Sequence, residues 1–176
     1  MACHSSTRTV DHLSEVLQDV GKGSKLENSR LHRTRCSKKI EKVIAPTAFE
    51  ELIEDIGDSD FSVICDEATD NMAKKQFALC VVYLSKKQER TVTAFLRIVE
   101  TPKATAELLY SALVKFFGKT CHLNLGKLVA LGTDGASALC GQFLSLFALL
   151  KQRKCPKLQL IRCLCHSLHR CASAAK

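Results

Sequence analysis

The chain has 176 residues, room for one domain with a small appendage, and its 46% hydrophobic and 25% charged residues exclude wholesale disorder. No segment approaches 18 uninterrupted apolar residues, and the N-terminus MACHSSTRTVDH lacks an apolar signal core, so neither membrane insertion nor secretion is expected. The net charge of +8 is uneven: residues 1–42 carry nine Lys/Arg against five Asp/Glu, residues 43–70 nine Asp/Glu and no Lys/Arg, and residues 71–176 seventeen Lys/Arg against four Asp/Glu.

In chain order, VDHLSEVLQDV places Val10, Leu13, Leu17 and Val20 at helical spacing, and GKGS then breaks the pattern. A basic loop holding Arg30, Arg33, Arg35, Lys38 and Lys39 leads into a short helix that Pro46 should interrupt. Thr47 and Glu50 have the spacing of a capping box for the next helix, whose apolar face is Phe49, Leu52, Ile53 and Ile56 and whose stop is Gly57. Residues 1–57 therefore read as a helical, basic segment, and residues 58–176 as a separate domain.

From residue 61 the period becomes that of strands. FSVIC, QFALCVVYLS (76–85) and TVTAFLRIV (91–99) are apolar, β-branched runs, and the KKQE between the last two suits a tight turn. The segment TPKATAELLYSALVKFFGK then reads as a helix stopped by Gly118, KLVALGTD (127–134) as a buried strand, SALCGQFLSLFALLKQ as a helix through Leu139, Phe143, Leu146, Phe147 and Leu150, and LQLIRCLC (158–165) as a last strand. The order β-β-β-α-β-α-β, with an antiparallel meander followed by crossovers, describes a partial α/β ribonuclease H-like fold on a mixed sheet.

In that topology the first and fourth strands lie side by side, so Asp66 and Asp134 converge at their C-terminal ends. Two such carboxylates repel unless a cation lies between them, and a hard Mg²⁺ or Mn²⁺ is the expected ion. Paired ions there could activate a water or a 3′-hydroxyl for in-line displacement at a phosphodiester. Glu67 and Asp70 have the simpler reading of acidic residues that solvate the turn. Glu107, in the first turn of the helix after the third strand, is a candidate third carboxylate, but an acidic residue there also complements the helix dipole.

Cys65, Cys80 and Cys140 sit within apolar runs and read as buried free thiols rather than disulfide partners. Cys163, Cys165, His166, His169 and Cys171 invite a zinc reading, yet their spacing lacks two paired knuckles separated by a loop, so zinc is not expected. Cys3 and His4 have no nearby partners in the sequence. The exposed-looking cations Arg30, Arg33, Arg35, Lys38 and Lys39 fit either phosphate contacts or a solvated helix face.

FSVICDEATD, the Val-Thr-Ala-Phe-Leu strand, the Thr-Ala-Glu helix start, GTDGAS and RCLCHSLHR occur in this order at compatible distances. Together they resemble the catalytic region of hAT-superfamily transposases and of vertebrate genes derived from them, over roughly residues 25 to 176. The resemblance implies that Asp66 and Asp134 match the first two members of the family's Asp-Asp-Glu set, and that Cys163 and His166 match its Cys-x-x-His motif. In that family the final glutamate follows a helical insertion beyond this motif. No Asp or Glu occurs between Gly135 and Lys176, so the chain is expected to be a truncated or domesticated derivative that ends before both features.

Three functions remain open at this point. The first is a catalytically inactive nuclear module associated with DNA or chromatin proteins, the second a residual Mg²⁺- or Mn²⁺-dependent nuclease or transposase, and the third a protein-interaction module or a nonfunctional fragment. DNA or chromatin partners in the nucleus are the leading expectation, with the cytoplasm as the alternative location, no membrane partner, and self-association left open.

Overall fold

A computed structural model describes residues 6–28, 30–69, 75–101, 103 and 105–174, apart from the side chains at 68, 69, 169, 170 and 174. Cys3, His4, Asp70 and the His169 side chain, all named above, lie outside the described set. No helix among the described residues is long and apolar enough to cross a membrane. The chain forms two compact units, Met1–Glu51 and Leu52–Lys176.

The first unit contains α1 (Thr9–Val20), α2 (Arg33–Lys39), a π-helical turn (Ile40–Ile44) and the start of α3 (Ala45–Ile56). Polar ties hold α1 to the segment entering α2. The Ser14 hydroxyl donates to the Leu31 carbonyl (2.6 Å) and accepts from its N–H, while the Asp11 carboxylate accepts from the Arg33 N–H at 2.8 Å. Asp11 thus satisfies one of the free donors at the start of α2. The apolar side of α1 is not a core: Leu13, Val16, Leu17 and Val20 are exposed, and no large hydrophobic residue described in this unit is buried.

Pro46 does not interrupt the helical run, contrary to the sequence expectation. The π-helical turn ends at Ile44, two residues before Pro46, and the helix continues through the proline, because a wider turn accommodates its missing donor. Thr47 accordingly forms no capping box; its hydroxyl donates back to the Val43 carbonyl at 2.9 Å. Gly57, with φ 52°, does end α3 in the left-handed conformation and returns its N–H to the Ile53 carbonyl.

The second unit is built on β1 (Phe61–Thr69), β2 (Lys75–Ser85), β3 (Arg90–Thr101), β4 (Leu128–Thr133) and β5 (Gln159–Arg162), in the spatial order β3-β2-β1-β4-β5. β1 pairs antiparallel with β2 and parallel with β4, and β4 pairs parallel with β5. This mixed five-stranded sheet with crossover helices is the ribonuclease H-like α/β fold expected from the element order. Alternation decides its two faces. Phe61, Val63, Cys65, Phe77, Leu79 and Val81 are buried on one face, where Leu109 and Leu113 of α4 (Ala106–Lys115) close over Cys65, Phe77 and Leu79. The opposite face leaves Ile64, Phe95 and Ile161 43–60% exposed.

Three further boundaries differ from the sequence reading. Gly118 does not stop its helix: α4 continues as a π-helical turn (Phe116–Cys121) and ends where His122 turns left-handed, φ 54°. Burial of Phe116 and Phe117 holds that turn, so packing overrides the glycine's local preference. The expected single helix over 137–152 is two, α5 (Ser137–Cys140) and α6 (Leu146–Arg153). At Gly141 a Cβ would meet the Ser137 carbonyl at 2.6 Å, and Ser145 restarts the helix by accepting the Ala148 N–H at 3.1 Å; Phe143, placed in the core by spacing, is 89% exposed. The last strand is shorter than expected, since α7 (Leu164–Ala174) begins directly after Cys163.

Asp55 of α3 is buried and anchors the β2–β3 hairpin end, accepting from the Tyr83 hydroxyl at 2.8 Å and the Lys87 N–H at 3.3 Å. A hydrogen bond from Ser85 chiefly, with those from Tyr83 and Lys87 and against the cost of burial, holds its carboxyl below the ordinary value of 3.8. A depressed pKa stabilises the fold above the unfolded value and is lost as pH falls through the folded one. Asp55→Asn should therefore melt below the wild type at neutral pH, with the gap closing below about pH 3.8 in thermal scans across pH.

Candidate functional site

The parallel register Ile64↔Gly132 and Cys65↔Thr133 brings the C-terminal end of β4 beside the middle of β1, which runs on to Thr69 paired with β2, longer than the FSVIC run suggested. Asp66 lies two residues beyond Ile64 in β1, on the same, open face, and Asp134 is the first residue past β4. Both carboxylates line one pocket of about 570 Å³, with Ile64, Gly132 and Ile161 forming its apolar side. Gly132 has no room to spare, since a Cβ there would sit 3.3 Å from Ile64 Cγ1.

The GTDGAS turn aims Asp134. Gly135 takes φ 96°, which favours glycine, and donates its N–H to Thr133 Oγ1 at 3.2 Å, while the Ala136 N–H donates to Asp134 Oδ1 at 3.0 Å. One Asp134 oxygen is thus engaged by the backbone. Behind the pocket, burial pushes the Cys65 thiol up to about 12, and the charges of Asp134, Asp66 and Glu67 add to that, so Cys65 is not a nucleophile. Glu67 pairs with Lys75 at 2.6 Å across β1 and β2, a structural contact rather than part of the pocket.

Cys163 and His166 reach the same pocket, as does Cys165. The Cys163 N–H donates to the Thr133 carbonyl at 2.8 Å, and its own carbonyl accepts from the Ser167 N–H and hydroxyl, so the residue joins β5 to α7 and turns the motif towards the carboxylates. Ile64, Gly132 and Ile161 were not singled out from the sequence. Counting back by two from Asp66, Asp134 and Cys163 would have found them.

Glu107 is not among the residues lining this pocket. It forms a bidentate pair with Arg153 of α6, at 3.2 and 2.9 Å, and Arg153 also lies over the Tyr110 ring at 5.1 Å. Exposed pairs of this kind contribute little to stability. Glu107→Ala should leave the thermal midpoint and the Mn²⁺ affinity of the chain near wild type; calorimetric Mn²⁺ binding that disappears in this variant would place Glu107 in the site after all.

Mg²⁺ and Mn²⁺ take several hard oxygen donors. The pocket supplies two carboxylates beside thiols and an imidazole, and among the described residues no group of three or more His, Cys, Asp and Glu is placed to hold a metal ion. This donor set does not fit a catalytic pair of hard cations.

The five N-terminal cations are all exposed, but they are not equivalent. Arg33 is drawn to Asp11, with its Nε 3.8 Å from Oδ2. Arg35, Lys38 and Lys39 fall within about 100° of one another around α2, facing away from Arg33, because each residue advances ~100°. Arg30 precedes the helix in the connecting segment.

A family model described as the ZMYM1/FAM200 RNase-like domain (DUF4371) matches residues 8–145, which include α1 to α5, β1 to β4 and both aspartates of the pocket. Cys163 and His166 lie beyond the matched residues. With most of its length matched and the ribonuclease H-like sheet in place, the chain belongs to the ZMYM1/FAM200 RNase-like domain family.

Proposed function

We propose that this chain is a hAT transposase-derived module that binds DNA and does not cut it unaided. The carrying observation is the pocket's donor set: Asp66 and Asp134 line it, while Glu107 is engaged by Arg153. An ion held by two aspartates would remain mostly hydrated and loosely placed, whereas phosphodiester cleavage needs close positioning. Descent from hAT transposases is supported by the ordered motifs around Asp66, Asp134 and the Cys163 to His166 segment.

DNA binding is supported by the exposed cations of α2 and the segment before it, together with the net charge of +8. Such contacts go to phosphates and carry little sequence information. The nucleus is the setting that fits, with chromatin proteins as further partners. The exposed apolar sheet face around Ile64, Phe95 and Ile161 favours a second reading, a surface that packs against another protein.

Anisotropy titrations of two unrelated duplexes at rising salt test DNA binding. The affinities should be nearly equal and should fall linearly on a log–log plot against salt. Affinity that does not respond to salt would rule out this mode.

A further inference from the structure

We propose that a second cleft, beside β5 and separate from both the carboxylate pocket and the N-terminal cations, holds a single strand of nucleic acid. The cleft, about 640 Å³, is lined by Lys151, Arg162, Gln142, Gln152 and Phe147. Lys151 Nζ lies 5.4 Å from the Phe147 ring centroid. Neither Lys151 nor Arg162 is in an ion pair among the described residues, and none of the 42 residues from Gly135 to Lys176 is acidic.

The chemistry selects the ligand. Two cations outside any ion pair suit phosphate oxygens, two side-chain amides offer both donors and acceptors to a base edge, and the Phe147 ring, over which Lys151 lies, offers a base apolar contact once Lys151 turns to a phosphate. The volume suits one or two nucleotide units rather than a duplex, whose paired bases are stacked inside. A polymer fits better than a free nucleotide because two cations and two amides suit more than one nucleotide unit, and Lys154 and Lys157, between α6 and β5 in the chain, are exposed and in no ion pair among the described residues. Leu160 and Arg162 line this cleft whereas Ile161 and Cys163 line the carboxylate pocket, so alternation along β5 opens the two on opposite faces of that strand.

This inference deepens the DNA-binding reading but uses different residues, so the two can fail separately. The experiment is fluorescence anisotropy on the full chain with a labelled oligo-dT strand, a duplex of equal length, and thymidine monophosphate as competitor. The double variant Lys151→Gln/Arg162→Gln should weaken strand binding on the order of tenfold and lower the salt slope by about 1.4, at ~0.7 per phosphate contact on single strands. Phe147→Leu should weaken strand binding without changing that slope. Both variants should leave duplex affinity nearly unchanged and keep the wild-type circular dichroism spectrum. Unchanged strand affinity in the correctly folded double variant would overturn the proposal, as would equal losses on strand and duplex, or displacement of the strand by monophosphate at comparable concentration.

Discussion

Phe117→Ala is expected to destabilise the second unit by about 3–5 kcal/mol, the cost of deleting a fully buried aromatic side chain. Phe117 has no exposed surface, stacks on Phe61 with ring centroids 5.7 Å apart, and meets the edge of Phe116 at 5.5 Å. Phe61 opens β1 and Phe117 lies in the π-helical extension of α4, so this contact ties the first strand to the helix covering it. Since small domains are stable by only about 5–15 kcal/mol, the variant should be close to the threshold of folding. Urea unfolding followed by circular dichroism would show a lower midpoint with an unchanged slope; a loss below ~1 kcal/mol would mean that this part of the core is loosely packed.

The second large effect concerns DNA. Each phosphate contact contributes a factor of about eight at ~0.1 M salt through counterion release. If Arg35, Lys38 and Lys39 each make one, the triple variant Arg35→Gln/Lys38→Gln/Lys39→Gln should lose between about 10²- and 10³-fold in duplex affinity, and its salt slope should fall by about 2.7. Glutamine keeps good helix propensity, and all three positions are exposed, so α2 should persist. Arg33→Gln should behave differently, losing less affinity because Asp11 already holds that side chain. An unchanged slope in the triple variant would assign those cations to solvated surface.

The fold was legible where local period and global packing agree. Alternation through FSVIC, QFALCVVYLS and TVTAFLRIV marked the meander, and the chain order then placed the first strand beside the fourth. Legibility failed where packing overrode a local signal. Pro46 and Gly118 look like helix stops, yet Gly118 lies within a π-helical turn and Pro46 two residues after the end of one, and the helical run continues through both. The helix read across 137–152 failed for a different reason: Leu139 and Phe143 keep helical spacing with Leu146 only by coincidence, and the restart at Ser145 was a capping serine hidden in an apolar run.

The site was legible in part. Register alone brings Asp66 and Asp134 to one pocket, because each directly follows one member of the last parallel pair, Cys65↔Thr133. The engagement of Glu107 was not legible, since its partner Arg153 is 46 residues away and nothing local links them. Alternation also shows which residues share a sheet face without showing which face is covered, so the exposure of Ile64 and Ile161 required the three-dimensional structure.

The central claim, DNA binding without cutting, is tested most directly by a plasmid-nicking assay in Mn²⁺ on the wild type and Asp66→Ala, with duplex binding measured on the same samples. The account predicts that both proteins bind DNA and that the wild type nicks no more than the variant. Mn²⁺-dependent nicking by the wild type that disappears in Asp66→Ala would contradict it, and would mean that two aspartates and a further ligand still form a working site.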